Sequence, residues 1–289
     1  IVAGTAPLGR NPKVANLAGL MPHARHDLVL VSDSNVRARP GYVADLVAEY
    51  EATGAALLCS VVAAHGEHSL AAHLENLQLN TWLPGAMCGT QVVTGSACVV
   101  GKSMLFGRSD LERLGGWSSV QDVLAEDYVI GSRLAAEGGV VRTSRHTVDT
   151  INVRWDLPRF VNRHLRWCQM RRWISPPAFL AEPLLNPTPF ALALLPTHLA
   201  GLGLALLAVK LVGDGALAAR MRGRPLPPWS WALIPVKDLL FLGVWLVAAF
   251  RRRVTWRGNG LRIGRGSELL DPADDASAER AARPVPVSR

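Results

Sequence analysis

Residues 191–209, ALALLPTHLAGLGLALLAV, carry no formal charge. A run of this length can cross the hydrocarbon core of a bilayer as one helix, so the rest of the chain must fold beside a membrane or around a wholly apolar core helix. A second stretch, Trp229–Phe250, is long enough too, with Lys237 and Asp238 near its middle. Flanking charge favours the membrane over a pair of buried helices. Arg154, Arg159, Arg163, Arg166, Arg171 and Arg172 crowd residues 154–172 against the single acid Asp156, and Arg251, Arg252, Arg253 and Arg257 follow the second stretch. The bias of cytoplasmic flanks toward Lys and Arg then predicts a multi-pass membrane protein whose remaining bulk faces the cytoplasm. Arg220, Arg222 and Arg224 in the connector pull the other way, and leave a re-entrant or interfacial placement open for one segment.

Ahead of those stretches the pattern alternates. The apolar run LVLV (28–31) ends in Ser32-Asp33-Ser34-Asn35, a helix-like stretch covers 41–53, and a second apolar run covers 55–63. That is the grammar of βαβ units. A helix-like segment at 67–83, a Gly-rich turn, the strand-like SACVV (96–100), a helix after Glu126 and a short strand from Val140 complete the series. The expectation is an α/β domain over residues 1–175 with a Rossmann-like, mostly parallel sheet, whose ligands lie outside the carboxyl ends of the strands. An interfacial segment (176–189), two membrane helices with their connector (190–250), a cytoplasmic basic segment (251–265) and a disordered tail (266–289) are expected to follow. With 49% apolar residues the chain has ample material for a core, and its formal charge of +8 is concentrated in the 154–172 cluster. Such clustering points to a phosphate-bearing ligand or an anionic bilayer surface; nucleic acid is not expected as a partner, because the motifs of its binding modules are missing. Cys59, Cys88, Cys98 and Cys168 show no CxxC spacing and read as reduced thiols.

Three stretches bear chemistry. In VLAEDYVIG (123–131) Glu126 and Asp127 fall in the first turn of a helix, where the helix dipole alone would favour acids. Asp127 also shares a face with Ile130 and Leu134, which aims it at the domain body, where a carboxylate can take a proton from an attacking hydroxyl. Asp33, at a strand end, is suited to holding a divalent metal against a diphosphate, or to forming a turn. In RHLRW (163–167) Arg163, Arg166 and Trp167 share one helical face. Two guanidinium groups and an indole can bind phosphate oxygens against a flat apolar wall, or can instead snorkel at a membrane surface.

NPKVANL (11–17), SDSN (32–35), VTGSACVVGKSML (93–105), GGW…LAEDY (115–128) and RHLRW (163–167) occur in that order. Together they closely resemble the ceramide glucosyltransferase-like family, membrane-bound inverting glycosyltransferases with the A-type fold. VTWRGNGLRIG (254–264) resembles that family's final segment, and Lys237-Asp238 its charged pair inside the last hydrophobic stretch. The resemblance implies that Asp33 meets the metal (Mg or Mn) and the donor diphosphate, that Asp127 is the base toward the acceptor hydroxyl, and that Arg163, Arg166 and Trp167 close over donor and acceptor. It also implies Lys13 on the donor side and Glu126 on the acceptor side. The implied partners are a UDP-sugar, a membrane lipid acceptor and the bilayer. The family has, in addition, an earlier nucleotide-contacting aspartate and an N-terminal anchor ahead of NPKV, so the chain is expected to be part of a longer protein.

The implied reaction is transfer of a hexose, glucose first, from a UDP-sugar to a lipid hydroxyl such as that of ceramide. N-acetylglucosamine transfer to a hopanoid or another lipid, a processive polysaccharide synthase, and a basic peripheral membrane-binding module are the competing readings. A synthase would be expected to carry more membrane helices than two.

Overall fold

A computed structural model describes residues 8–256 and 259–271. Along the chain run α1 (Pro12–Leu20), β1 (Leu28–Ser32), β2 (Val36–Arg37), α2 (Tyr42–Thr53), β3 (Leu57–His65), α3 (Leu70–Asn80), α4 (Trp82–Thr94), β4 (Ser103–Gly107), α5 (Arg108–Arg113), α6 (Glu126–Ala136) and β5 (Val141–Ile151). The helical half contains α7 (Leu157–Ile174), α8 (Pro176–Ala181), α9 (Pro187–Leu194), α10 (Ala200–Arg222) and α11 (Leu233–Phe250), and β6 (Arg253–Trp256), β7 (Asn259–Ile263) and β8 (Leu269–Leu270) follow.

The central sheet has the order β1-β4-β3-β5-β2. The apolar run of β3 is continuous because both its faces are covered. Leu57, Cys59 and Val61 face a core shared with Ile130 and Leu134 of α6, whereas Leu58 and Val62 meet Tyr42 and Leu46 of α2. Only the β3–β5 pair is parallel; β1–β4, β3–β4 and β5–β2 are antiparallel, so the expected mostly parallel sheet is corrected to a mixed one. The reason lies in the excursion after β3. α3 ends beside that strand, where the Asn80 side chain bonds both N–H and C=O of Ala64. α4 then reaches the start of β5, where Gln91 Oε1 accepts from Thr143 N–H, and coil returns the chain to the carboxyl end of β1, where Asp33 N–H donates to Lys102 C=O. β4 must therefore run backwards.

SACVV is that returning coil and not a strand. Ala97 and Val99 are buried against β5 and α6, which gives them strand-like alternation without a ladder. Val99 packs so closely on Gly131 that a Cβ there would lie 2.4 Å from it. The segment read as a Gly-rich turn belongs to α4: Pro84 sits in the helix's first turn, where a missing N–H costs little, and Gly95, with φ +76°, closes the helix.

α10 and α11 are long and apolar enough to cross a membrane by length and composition. The charge-free run 191–209 is nevertheless broken at Pro196: α9 ends at Leu194, the chain reverses, and α10 starts at Ala200. The two helices touch where a Cβ on Gly203 would stand 2.6 Å from Ala191 C=O. Both ends of this hairpin are tied to the rest of the fold. Asn186 Nδ2 donates to Asp238 C=O and Thr188 Oγ1 to Asp238 Oδ2, while Arg222 pairs with Glu67 at 2.5 Å. α11 keeps one face on the α/β domain along its length, with Leu233 and Leu240 packed on the α3 side and Val244 and Ala248 against Leu165, Cys168 and Phe179. Inside this layer Lys210 pairs with Asp214 (2.7 Å), and Lys237 with Asp238 (3.0 Å), Asp214 (3.2 Å) and Thr81 Oγ1 (3.0 Å). Two cations and two carboxylates thereby cancel. Of the expected disordered tail, Gly266–Asp271 are described, with Ser267 and Leu269 buried, and 272–289 lie outside the described residues, as does Arg257.

Candidate active site

The carboxyl end of β1, the amino ends of α1 and α6, and the coil before β4 converge on Gly101. Asn11 folds this corner first. Its Oδ1 caps α1 by accepting from Lys13 and Val14 N–H, and its Nδ2 donates to Val123 C=O (2.6 Å) and Glu126 Oε2 (3.1 Å). Pro12 at the first helical position suits the same start. Lys13 then reaches across to Glu126 Oε1 (2.8 Å), Gly101 C=O (3.2 Å) and Asp33 Oδ1 (3.7 Å). Lys102 Nζ meets Asp33 Oδ2 at 2.9 Å and Asn35 Oδ1 at 2.8 Å. Asp127 is held by two backbone donors, Gly101 N–H to Oδ2 (2.5 Å) and Tyr128 N–H to Oδ1 (2.8 Å). Each oxygen retains a lone pair for a substrate proton.

Burial alone would lower the Lys13 pKa, but Glu126, Asp127 and Asp33 outweigh it and raise the ammonium well above its ordinary value. Burial pushes Glu126 up, with Lys13 opposing. Glu126 therefore departs from the acceptor-side role expected of it: it is 3% exposed and its carboxylate is taken up by Lys13 and Asn11. The helix turns its neighbour Asp127 to a different face, where it is half-buried and its charge acts on Lys13.

Arg163, Arg166 and Trp167 are brought together by α7, whose start is fixed by the Asp156 cap on Arg159 N–H. The two guanidinium groups differ, however. Arg163 stacks on Trp167 at 4.5 Å and pairs with the fully buried Glu75 of α3 at 2.9 Å. His164 Nε2 lies 2.6 Å from the other oxygen of Glu75. Burial opposes ionisation of Glu75, but Arg163, His164 and Lys102 hold its carboxyl below the ordinary range. Burial lowers His164. Arg163 is thus engaged inside the protein instead of standing free for a ligand. Arg166 has no carboxylate partner among the described residues; it lies over Trp256 at 5.8 Å, and burial, then the charge of Arg163, brings it down to about 10. Lys102 links the two groups of charges, lowered first by burial and then by Arg163, with Asp33 opposing. Glu75 and Lys102 are site residues that sequence reasoning missed.

The three-stranded sheet after α11 closes the corner from outside. Ser267 C=O and Oγ accept from Leu124 and Ala125 N–H (2.9 and 3.2 Å), and Leu269 N–H donates to Asp122 C=O (2.6 Å). Leu124 packs with Val254, Ile263 and Leu269. The turn that presents Asp127 is therefore pinned by residues more than a hundred positions downstream, and Ser267 adopts a left-handed φ of +62° to make these bonds.

Among the described residues no three His, Cys, Asp or Glu side chains cluster as a metal site. Asp33 offers one carboxylate flanked by the ammonium groups of Lys13 and Lys102; a divalent cation held by one carboxylate with substrate phosphates and water would have to displace them.

The model of glycosyl transferase family 21 matches residues 1–269. "Ceramide glucosyltransferase 3" of Caenorhabditis elegans is 26% identical over 284 residues, which cover 93% of this chain and 61% of that protein. "Ceramide glucosyltransferase 1" of the same organism is 28% identical over 184 residues, 62% of this chain and 38% of that protein. The chain spans less than two thirds of the length of either relative.

Proposed function

Because the chain belongs to glycosyl transferase family 21, we propose that it moves a hexose, glucose first, from a UDP-sugar to the hydroxyl of a membrane lipid such as ceramide, with inversion, on an A-type glycosyltransferase fold. The observation that carries the reading is Asp127, fixed by two backbone N–H groups beside Lys13, whose ammonium also meets Asp33, with Lys102 on the other oxygen of Asp33. The names of the two relatives support the lipid acceptor.

In this mechanism Asp127 accepts the proton of the lipid hydroxyl as its oxygen attacks the anomeric carbon from the face opposite the diphosphate. The bond from the anomeric carbon to the diphosphate oxygen breaks, and its electron pair leaves with UDP. Lys13 and Lys102 lie beside Asp33, where they offset the charge that develops on the leaving group, and preorganised cations of this kind supply much of the rate. Arg166, which has no carboxylate partner among the described residues, completes the phosphate site. Trp167, braced by Arg163, forms its apolar wall. A divalent cation, Mg or Mn, held by Asp33 would supply further charge neutralisation to the diphosphate when bound.

The bilayer meets the α9–α10 hairpin and the outer face of α11, where Val209, Val212, Val247 and Phe250 are exposed. The α10 end of the hairpin is tied to Glu67 of the α/β domain and the α9 end to Asp238 of α11; with α9 only about 12 Å long by helix rise, the hairpin is read as re-entrant from the cytoplasmic side. This takes up the re-entrant placement that the connector's arginines leave open for one segment. The test of function is mass spectrometry of lipid products after incubation with UDP-glucose and ceramide, using the wild type and Asp127→Asn. A hexose adduct made only by the wild type is expected; no adduct on ceramide or any other lipid alcohol would reject the reading.

A further inference from the structure

α7 and α11 end side by side. Leu165 and Cys168 pack with Val244 and Ala248, and one turn further along α7 the Arg172 Nη1 donates to Ala248 C=O at 3.2 Å. The chain leaves α11 through three successive arginines, Arg251, Arg252 and Arg253, all exposed. Their backbone is nevertheless fixed at every carbonyl. Gln169 Nε2, from the buried face of α7, donates to Arg251 C=O (2.8 Å) and Arg253 C=O (3.1 Å), and Ile263 N–H donates to Arg252 C=O (3.2 Å). The three side chains therefore project from a held turn and not from a fraying helix end. Arg252 and Arg172 both lie over Trp173, 5.2 and 5.4 Å from its ring centre.

Two adjoining helix C-termini would attract cations by themselves. Each carries about half a negative charge, so together they offset about one of the four guanidinium groups and leave an excess of about three positive charges. None of the four arginines has a carboxylate partner among the described residues; the neighbouring Arg171 has taken Glu182. The excess stands at the end of an apolar strip, because Val247 and Phe250 of α11 are 50% and 85% exposed. Guanidinium groups and an indole at the end of such a strip match the boundary between acyl chains and headgroups. Free phosphate would leave the strip uncovered, and the choline ammonium of a zwitterionic headgroup would be repelled by the surplus charge.

We propose that the turn at 251–253, with Arg172 and Trp173, is a site for the headgroup phosphate of an anionic phospholipid, whose chains lie along the outer face of α11. The proposal rests on the reading that lays this face against the bilayer, and not on the identity of the sugar or of the acceptor. Gln169 is its positioning residue.

The experiment uses the full chain in uncharged dodecyl maltoside micelles, titrated with short-chain fluorescent phosphatidylglycerol or phosphatidylcholine and followed by anisotropy. The wild type is expected to prefer phosphatidylglycerol about 10²-fold, the worth of three basic side chains at an anionic surface. Arg251→Gln combined with Arg252→Gln should reduce the preference to about fivefold at an unchanged melting temperature. Gln169→Met keeps every charge but unties the turn, and should also reduce it, which a diffuse positive field would not do. Should Gln169→Met melt early, the double variant alone decides. Equal affinity of the wild type for the two lipids, or an unchanged preference in the double variant or in a folded Gln169→Met, overturns the site. Displacement of the probe by millimolar inorganic phosphate overturns the lipid as occupant, and displacement by UDP-glucose would assign these arginines to the donor. A wild type that keeps the lipid preference but binds no UDP-glucose removes the transferase reading and leaves this site standing.

Discussion

Gly101 N–H donates to Asp127 Oδ2 across 2.5 Å, and a Cβ added to Gly101 would lie 2.8 Å from that oxygen and from Lys13 Nζ. Backbone approach, not side-chain chemistry, sets the position of the proposed base. Gly101→Ala should therefore displace Asp127 and Lys13 by a fraction of an ångström to an ångström. Misplacement of that order costs about 10²-fold in rate. Lipid hexosylation should fall by that factor with little change in melting temperature; an unaltered rate would show that the close approach is unimportant.

Asp127→Asn preserves shape, and its one remaining oxygen can still accept from Gly101 N–H or Tyr128 N–H, but the proton acceptor is lost. Transfer is expected to drop about 10²–10⁴-fold, with UDP-glucose affinity by calorimetry largely retained. Retained turnover would take the base role away from Asp127.

The two arginines of RHLRW should separate. Arg163→Ala leaves Glu75 buried without its cation, and loss of one member of such a pair costs about 3–5 kcal/mol of stability. Arg166→Lys breaks no ion pair among the described residues and removes only the planar fork. Thermal melting should therefore fall for the first, while the KM for UDP-sugar rises for the second. The reverse pattern would exchange their roles.

Glu75 also predicts an acid response. A carboxyl held below its ordinary range stabilises the fold at pH values above that range, and the contribution is lost as pH falls through the folded-state value. Stability should decline below the ordinary carboxylate range, and Glu75→Gln should flatten that decline at the expense of stability near neutrality. Chemical denaturation across pH measures both, and identical slopes for the two proteins would count against Glu75 as the source.

His198→Cys tests the hairpin. It lies at the turn between α9 and α10, whose long arm α10 reaches about 34 Å by helix rise but whose short arm α9 spans only about 12 Å, less than half of a hydrocarbon core of about 30 Å. In sealed vesicles with the catalytic domain outside, an impermeant thiol reagent trapped inside should not label this cysteine. Labelling from within would require a full crossing.

Much of the site was legible from local pattern. The strand LVLV and the loop SDSN delivered Asp33 to a carboxyl edge, and the acid pair after Gly115-Gly116-Trp117 delivered Asp127 to a helix start. Lys102 and Glu75 were not legible, because each acquires meaning from a partner distant in sequence: Asp33 for one, Arg163 and His164 for the other. SACVV misled because burial against α6 and β5 produces the same alternation as a ladder. The mixed sheet was hidden for a related reason. Periodicity reports which residues are buried, but strand direction depends on where an intervening helix pair ends. Pro196, by contrast, was visible inside the charge-free run, and length outweighed it.

The bonds from Ser267 and Leu269 to Asp122, Leu124 and Ala125 have a consequence for biosynthesis. On a ribosome the acid-bearing turn emerges early and the strands that pin it emerge only after both apolar helices have been made. This corner can therefore reach its final form only once both apolar helices have been made, so that a prematurely terminated product holds Asp127 on an untethered turn.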